Sequence, residues 1–462
     1  FQAEDGIRDS STSRGLGRAQ YNYDNRYLAT VNFRADGSSK FPENPWGYFP
    51  SFSLAWRLSS ESFMEDVTDV TDLKLRFGWG QVGNDKIGDD AFVLNMFNTG
   101  PTFVDYVFGK DQQLANGATI LTWINQGGRW ETTEQLSLGI DFGFWNNRLT
   151  GSIDGFIRNT SDMLMPVNAP AFVGNRYAGS ANVGDVRNRG IEISLEHRNT
   201  VNDFEYSIGG NISFIDNKLT HLNGGSSIPV WASNERMVQM VDEGHSLYYF
   251  TGYKNLGIFK TDEEALEYLD GYTALDIPYH AGDSKYLDRN NDGKITDEDR
   301  MDLGSSIPWL NYGLNFGAWW KGFDLQLFFQ GVGGNKIYNM KRAFLESDGT
   351  SSVISPVMKD AWTKDNPNGT IANPRNSINY EISDRFLEDG SYFRLKNVQL
   401  GYSLPSKVLK PAGFQNCRFY VQASNLFTLT KYTGYDPEVS GGVDYGNYPQ
   451  SRTFIFGVNI VF

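Results

Sequence analysis

Apolar and polar residues alternate with a period of two in stretch after stretch of this chain. Phe52, Leu54, Trp56 and Leu58 alternate with Ser51, Ser53, Ala55 and Arg57. Leu136, Leu138, Ile140, Phe142 and Phe144 alternate with Ser137, Gly139, Asp141 and Gly143. Ile191, Ile193 and Leu195 alternate with Glu192, Ser194 and Glu196. That period predicts strands with one apolar and one polar face. Asn146-Asn147, the stretch Asn199 to Asp203, and Lys321-Gly322 each separate two such stretches, which predicts hairpins with short turns. The terminal stretch places Phe454, Phe456, Val458, Ile460 and Phe462 on one face, with Thr453, Gly457 and Asn459 on the other, where Ile455 and Val461 are exceptions. About thirteen to fifteen strands are expected, most of them about 9–12 residues long.

The tight turns alternate with long connections, roughly residues 82–130, 159–184, 216–245, 260–306, 333–388 and 425–450. Short turns on one rim and long loops on the other, closed by a strand ending in an aromatic residue, is the pattern of an antiparallel transmembrane β-barrel. Strands of this length cross hydrocarbon when tilted. Composition agrees: aromatics are 15 % of the 462 residues and glycines number 49. Such a mixture suits interfacial rings and small inward residues better than a water-soluble globule. Mean hydropathy is −0.44, and no apolar run of ~18 residues exists for a membrane helix. The net charge of −14 argues against nucleic acid as a partner. Cys417 is the single cysteine, so no intrachain disulfide is expected, and it reads as a small strand residue.

Residues 2–9, Q-A-E-D-G-I-R-D, are also the translation of a sequencing adapter (CAAGCAGAAGACGGCATACGAGAT). Residues 1–19 are therefore expected to be a non-native or disordered leader, with the first ten or so an assembly artefact. There is no start methionine and no signal peptide, and the chain reads as a fragment. Helical insertions are expected in the loops, at Thr261-Asp-Glu-Glu264 before Ala265–Leu269, a capping box, and at Ser355-Pro356.

One segment carries ligand chemistry. D-R-N-N-D-G-K-I-T-D-E-D (288–299) fits a calcium loop. Asp288, Asn290 and Asp292 occupy positions 1, 3 and 5, and Gly293 supplies the sharp turn. Lys294 offers its carbonyl, Ile295 follows as the inward apolar residue, and Asp299 closes the loop at position 12. Hard oxygens at this spacing select Ca²⁺ over zinc, and the role expected for the ion is structural. Its rival is an Asx-rich turn without metal. The four histidines, His197, His221, His245 and His280, are scattered and read as ordinary surface residues. No nucleophile elbow, phosphate loop or dinucleotide fingerprint occurs, so no catalytic residues are named and no enzyme is expected. Loop aromatics that offer a face to a sugar ring are Trp123, Trp130, Trp231, Tyr248, Tyr249, Trp362 and Tyr445. Trp231, Tyr248 and Tyr249 are the named candidates for substrate contact.

Several blocks, in order, resemble SusC-like TonB-dependent outer-membrane transporters. They include N-R-Y-L-A-T-V-N-F-R-A-D-G-S-S-K-F (25–41), Y-F-P-S-F-S-L-A-W-R-L (48–58) and L-K-L-R-F-G-W-G-Q-V-G-N-D (73–85). Further on come W-E-T-T-E-Q-L-S-L-G-I-D-F (130–142), N-V-G-D-V-R-N-R-G-I-E-I (182–193) and E-G-H-S-L-Y-Y-F-T-G-Y-K (243–254). L-E-D-G-S-Y-F-R-L-K-N-V-Q-L-G-Y-S-L-P (387–405) and N-L-F-T-L-T-K-Y-T-G-Y-D-P-E-V (425–439) precede the terminal strand. The resemblance covers residues 20–462. It implies the C-terminal part of a 22-stranded barrel closed by an N-terminal plug absent from this chain. It further implies import of an oligosaccharide, or a peptide, in the outer membrane of a Gram-negative bacterium. A SusD-like lipoprotein would be the lid, and TonB would act on the plug. The rivals are a calcium-dependent surface adhesin or binding module, a passive porin and, last, a secreted hydrolase.

Overall fold

The computed structural model describes residues 12–86, 97–98, 105–110, 112–115, 117–120, 127–167, 179–223, 227–231, 237–268, 279–346, 354–374, 379 and 381–462. Residues 1–11 of the expected leader, the ring of Trp123 and the end of the expected helix at Leu269 lie outside them.

The period-two stretches become a single 13-stranded sheet. Its strands are β1 (Thr12–Tyr23), β2 (Tyr27–Ser38), β3 (Trp46–Arg57), β4 (Val70–Asn84), β5 (Glu131–Phe144), β6 (Leu149–Val167) and β7 (Gly179–Val201). They continue as β8 (Phe204–Leu222), β9 (Leu310–Trp320), β10 (Phe323–Gly333), β11 (Tyr392–Ser403), β12 (Asn416–Thr430) and β13 (Thr453–Val461). Each strand lies beside its neighbour in sequence, β1 through β13, so the sheet is an up-and-down meander. Short turns make this possible where residues tolerate the left-handed region. Asp24 and Asn25 (φ 52° and 53°), Asn146 and Asn147 (56° and 60°), and Lys321 with Gly322 (47° and 90°) occupy it.

The chain divides into two compact units, residues 1–147, 152–191 and 218–228 in one, 148–151, 192–217 and 229–462 in the other. In the first, the register sets Val31 opposite Phe52, Phe52 opposite Trp79, and Trp79 opposite Leu136, an apolar row across four strands. The next row, on the other face, is Asn32, Ser51, Gly80 and Gln135. In the second unit Ile208, Phe316, Leu327 and Val398 share one face, and Ser207, Gly317, Gln326, Gln399 and Gln422 the other. On β13, Phe454, Phe456, Val458 and Ile460 join the apolar face, opposite Ala423, Val421, Phe419 and Cys417.

The apolar face is the exposed one: Leu138 is 63 % and Phe456 79 % accessible. Burial is concentrated instead in the loop layers. Val238, Phe250, Tyr338, Met340, Ile382 and Phe386 form one core. Tyr253, Phe259, Ala265, Tyr279, Tyr286 and Ile295 form another. In the first unit Phe41, Phe49 and Trp130 pack together. A sheet with a bare apolar face, its buried clusters gathered in the loops and at strand ends, needs an apolar solvent. The band has the right height. Trp320 and Phe323 flank a turn at one end of β9, and Phe214 stacks on Trp309 at the other, centroids 6.1 Å apart. Eleven residues at ~3.3 Å each, tilted by ~40°, span about 27 Å, against a hydrocarbon band of ~25 Å.

Two expectations are corrected. Residues 12–19 belong to β1, paired from Thr12↔Ser38 to Tyr23↔Tyr27, and not to a leader ending at 19. Gly15 and Gly17 carry no side chain, so the alternation there is invisible in the sequence. Within the connection expected at 159–184, residues 159–167 and 179–184 are strand: β6, β7 and β8 run 19, 23 and 19 residues, well beyond the expected length. Their outer parts break the alternation: β6 is polar over Arg158–Asp162 and then apolar on both faces over Met163–Val167, and β7 is small or polar over most of Gly179–Arg189, so no period-two signal marks them.

Candidate substrate-facing wall and cation loop

Charges on the polar face are paired across three strands at a time. In the first unit Arg76 of β4 reaches Asp141 of β5 at 2.6 Å and Asp154 of β6 at 2.8 Å, and Lys74 reaches Asp141 at 2.6 Å. Gly139 lies on β5 beneath the Arg76–Asp154 pair, and a Cβ there would collide with both side chains. In the second unit Arg418 of β12 donates to Asp324 of β10 at 2.9 Å. Gly401 of β11 lies beneath that pair in the same manner. A side chain on the middle strand would block the ion pair in both places, so glycine is required by close approach rather than by a turn.

A denser cluster ties a loop to the wall. Arg394, 2 % exposed on β11, meets Asp436 at 2.7 Å and Glu438 at 3.3 Å. Lys396 reaches Glu438 at 2.7 Å, and the Tyr392 hydroxyl donates to Glu438 at 3.0 Å. Burial alone would raise the Asp436 carboxyl. Arg394 and the amides of Glu438 and Gln450 outweigh it and hold the group below the usual carboxylate range. The block F-R-L-K-N thus grips the block Y-D-P-E-V. Nearby, Tyr432 donates to the buried Asp444 at 2.5 Å.

The 288–299 segment folds as one wrapped loop. Asn291 and Gly293 take positive φ, 58° and 78°. Asp288 accepts from the amides of Asp292 and Gly293, at 3.2 and 2.9 Å. Asp299, 1 % exposed, accepts from the amides of Arg289 and Thr296, both at 2.8 Å. Ile295 is buried in the core with Tyr286 and Phe259. Position 12 therefore pins the loop's first half to its second, as a cation loop needs. Asn290 donates to Asp292 at 3.2 Å and to Glu298 at 3.1 Å. The donor set fits Ca²⁺ by type, but among the described residues no three acidic, His or Cys groups converge on a single point. Asp299 also caps the short helical turn Asp297–Asp299 together with Thr296.

The aromatic candidates separate. Trp130 is buried against Phe41 and Phe49. The ring of Trp362 packs against Gly282. Tyr249 is 7 % exposed, and its ring stacks on His245 at 4.3 Å, so it belongs to packing. Tyr248 takes φ 58°, and burial raises its phenol. Trp231 ends the strand Ile228–Trp231, and its side chain lies outside the described residues. Tyr445 is exposed. Sequence reading missed His245, which binds Asp302 at 2.9 Å; the partners are far apart in the chain and no local motif links them. Burial pushes Tyr253 up to about 12, and Tyr279 and Tyr286 upward as well. These phenols stay neutral and fill the core. α1 (Asp262–Tyr268) begins as expected, with the Glu264 amide donating to Thr261 Oγ1 at 3.1 Å. Glu264 reaches back one residue further than expected, to the Lys260 amide at 2.8 Å.

An up-and-down sheet with an exposed apolar band, girdled by aromatics and carrying paired charges on its other face, defines the wall of a transmembrane β-barrel. The family profile described as "TonB dependent receptor-like, beta-barrel" matches residues 4–426, and the chain belongs to that family of outer-membrane proteins. It is 33 % identical over 466 residues to TonB-dependent receptor P3 of Formosa agariphila, covering 97 % of this chain and 45 % of that protein. It is 30 % identical over 459 residues to TonB-dependent receptor SusC of Bacteroides thetaiotaomicron, covering 97 % of this chain and 43 % of SusC. Among solved structures, the RagAB peptide transporter superposes with a TM-score of 0.82 at 25 % identity, over 97 % of this chain and 47 % of that one. The chain thus spans less than half the length of these relatives. No helix among the described residues is long and apolar enough to cross a membrane, which says nothing of the strands.

Proposed function

We propose that this chain supplies barrel wall and loops to an importer that draws a bulky nutrient, an oligosaccharide, through the outer membrane. Import would be driven through TonB, without catalysis of its own, beneath a SusD-like lipoprotein lid. The observation that carries this reading is the similarity to SusC along 97 % of the chain. Peptide cargo is the second reading, favoured by the likeness to the RagAB peptide transporter. Trp231 and Tyr248 are proposed as substrate contacts, with Tyr249 acting through packing. Deletion of the gene, followed by growth on single oligosaccharides and on peptides, tests the reading. Loss of growth on one oligosaccharide with peptides unaffected supports it, together with co-purification of a surface lipoprotein. Unchanged growth on every oligosaccharide and loss on peptides assigns peptide cargo instead.

The 288–299 loop is proposed to bind Ca²⁺ through Asp288, Asn290, Asp292, the Lys294 carbonyl and Asp299, stiffening the loop that carries Ile295 into its core. Support comes from the ligand spacing and the loop's closure by Asp299. Calorimetry with CaCl₂ should register binding that Asp292→Ala abolishes. No heat at millimolar Ca²⁺ in the unaltered protein removes the proposal.

A further inference from the structure

Two of the long loops of the second unit are joined by one side chain. Gln239 lies on the strand Met237–Val241 and is 5 % exposed. Its Nε2 group donates to the Tyr248 carbonyl at 3.0 Å and to the Gly441 carbonyl at 3.1 Å. The two N–H bonds of one amide are thereby divided between the loop that follows β8 and the loop that follows β12. Both acceptors belong to residues in the left-handed region: Tyr248 holds φ 58°, and Gly441 holds 71° with Gly442 at 77° beside it. Glycine takes that region freely, but a tyrosine there is strained and stays only where its surroundings over-determine it.

The surroundings of Tyr248 do so from several sides. Asn217 of β8 accepts from Ser246 Oγ at 3.2 Å and from the Leu247 amide at 2.8 Å. The hydroxyls of Ser246 and Ser305 meet at 2.9 Å. His245 meets Asp302 and stacks on Tyr249. These contacts hold the turn as far as Leu247, and Gln239 holds the Tyr248 carbonyl. The other loop fits closely against the same place. A Cβ on Gly442 would stand 2.3 Å from Ser306 Cβ and 3.0 Å from the Phe250 ring, and Val443 packs against the core that contains Phe250. The loop after β12 therefore lies directly on the strand Tyr249–Gly252 into which the strained turn leads.

We propose that Gln239 is a positioning residue. It ties the strained Tyr248 peptide to the Gly441-Gly442 turn, so that the two loops move as one body and hold Tyr248 in place for cargo. Glutamine suits this task because its amide carries two donors and no charge. An ionised glutamate has no donor, and a lysine would bring a charge into a buried place. A contact held in advance spares the cargo the free energy of ordering both loops when it binds. This proposal rests on the reading of Tyr248 as a cargo contact and deepens it.

Amide hydrogen exchange of the full-length protein that carries this sequence, purified in detergent, tests the clamp without any ligand. Gln239→Met keeps the length of the side chain and removes both donors. Exchange should rise about tenfold, the scale of one lost hydrogen bond, in residues 242–248 and 439–446 together, with β9 unchanged. Adding Tyr248→Asn, which tolerates the left-handed region, should return residues 242–248 toward the parent and leave 439–446 fast. A general loss of packing would not be rescued in one loop alone. Gly441→Val strains the other loop from its own side, with nothing within 4 Å of the Cβ it adds, and should quicken 242–248 as well. Retained heat-modifiable mobility on gels shows that each barrel has formed. Unchanged exchange in Gln239→Met, a rise confined to one loop, or a Gly441→Val effect that stops at its own loop overturns the proposal. Growth separates the two claims. A Tyr248→Ala strain that grows like the parent on every substrate the deletion strain loses removes the cargo reading of Tyr248, while the exchange results still decide the clamp. Where Tyr248→Ala impairs that growth, Gln239→Met should raise the substrate concentration for half-maximal growth and keep the maximal rate. No change in that concentration overturns the positioning role.

Discussion

At the scale of single residues, glycine on the polar face is where sequence and structure are most tightly bound. Gly139 and Gly401 lie under ion pairs that join strands two apart. Gly401→Ala should force Arg418 from Asp324, costing about 1–3 kcal/mol in the manner of an overpacked core. Gly17→Ala, with nothing within 4 Å of the added atom, should be near neutral. Urea unfolding of the detergent-purified barrel compares the two. Glu264 gives a pH prediction. The Lys260 amide, and then Lys285, hold its carboxyl below the ordinary value of 4.5. A depressed folded-state value means that the stabilisation is fully present above 4.5 and is lost as pH falls through the lower folded value. Amide exchange of residues 260–268 should therefore be constant from pH 7 to about 5, after correction for intrinsic rates, and should accelerate below about 4. Acceleration beginning near pH 6 would point to another group. These details were not legible in the sequence, because a glycine's reason for existing lies on the strands either side of it.

Elements were legible in proportion to how strictly they alternate. β9 and β13 carry one wholly apolar face, β5 does so from Leu136 onward, and each appears where the period placed it. β6, β7 and β8 outrun their expected ends because their outer parts break the alternation with runs of polar, small or apolar residues, and β1 is hidden by its glycines. The 288–299 loop was readable because its Asp, Asn and Gly positions are close together in the chain. The Arg394 cluster was not, since Asp436 stands 42 positions away. That cluster governs the loop following β12. Arg394→Ala leaves Asp436 and Glu438 facing each other without their buried cation, at a cost of about 3–5 kcal/mol. Limited proteolysis should then cut within residues 431–452 while β11 and β12 stay protected. Equal resistance of the two proteins would show that the loop is held by Tyr432–Asp444 and its backbone contacts instead.

At the scale of the molecule, the family follows from the wall. The meander, the exposed apolar band and the match to the TonB-dependent receptor barrel family agree on a membrane-spanning sheet. An adhesin carrying the 288–299 loop would have no use for a belt of bare leucine, phenylalanine and tryptophan about 27 Å high, close to the ~25 Å of hydrocarbon expected for such barrels. The most direct measurement is cysteine accessibility in outer-membrane vesicles containing the full-length protein that carries this sequence, in a Cys417→Ser background. Single cysteines at Leu314, Asn315 and Phe316 on β9, and at Leu138 and Ser137 on β5, are treated with a membrane-impermeant maleimide. Labelling is expected at Asn315 and Ser137 and protection at Leu314, Phe316 and Leu138, following the two faces of each strand. Equal labelling of both sets would place water on both faces of the sheet and contradict the barrel wall.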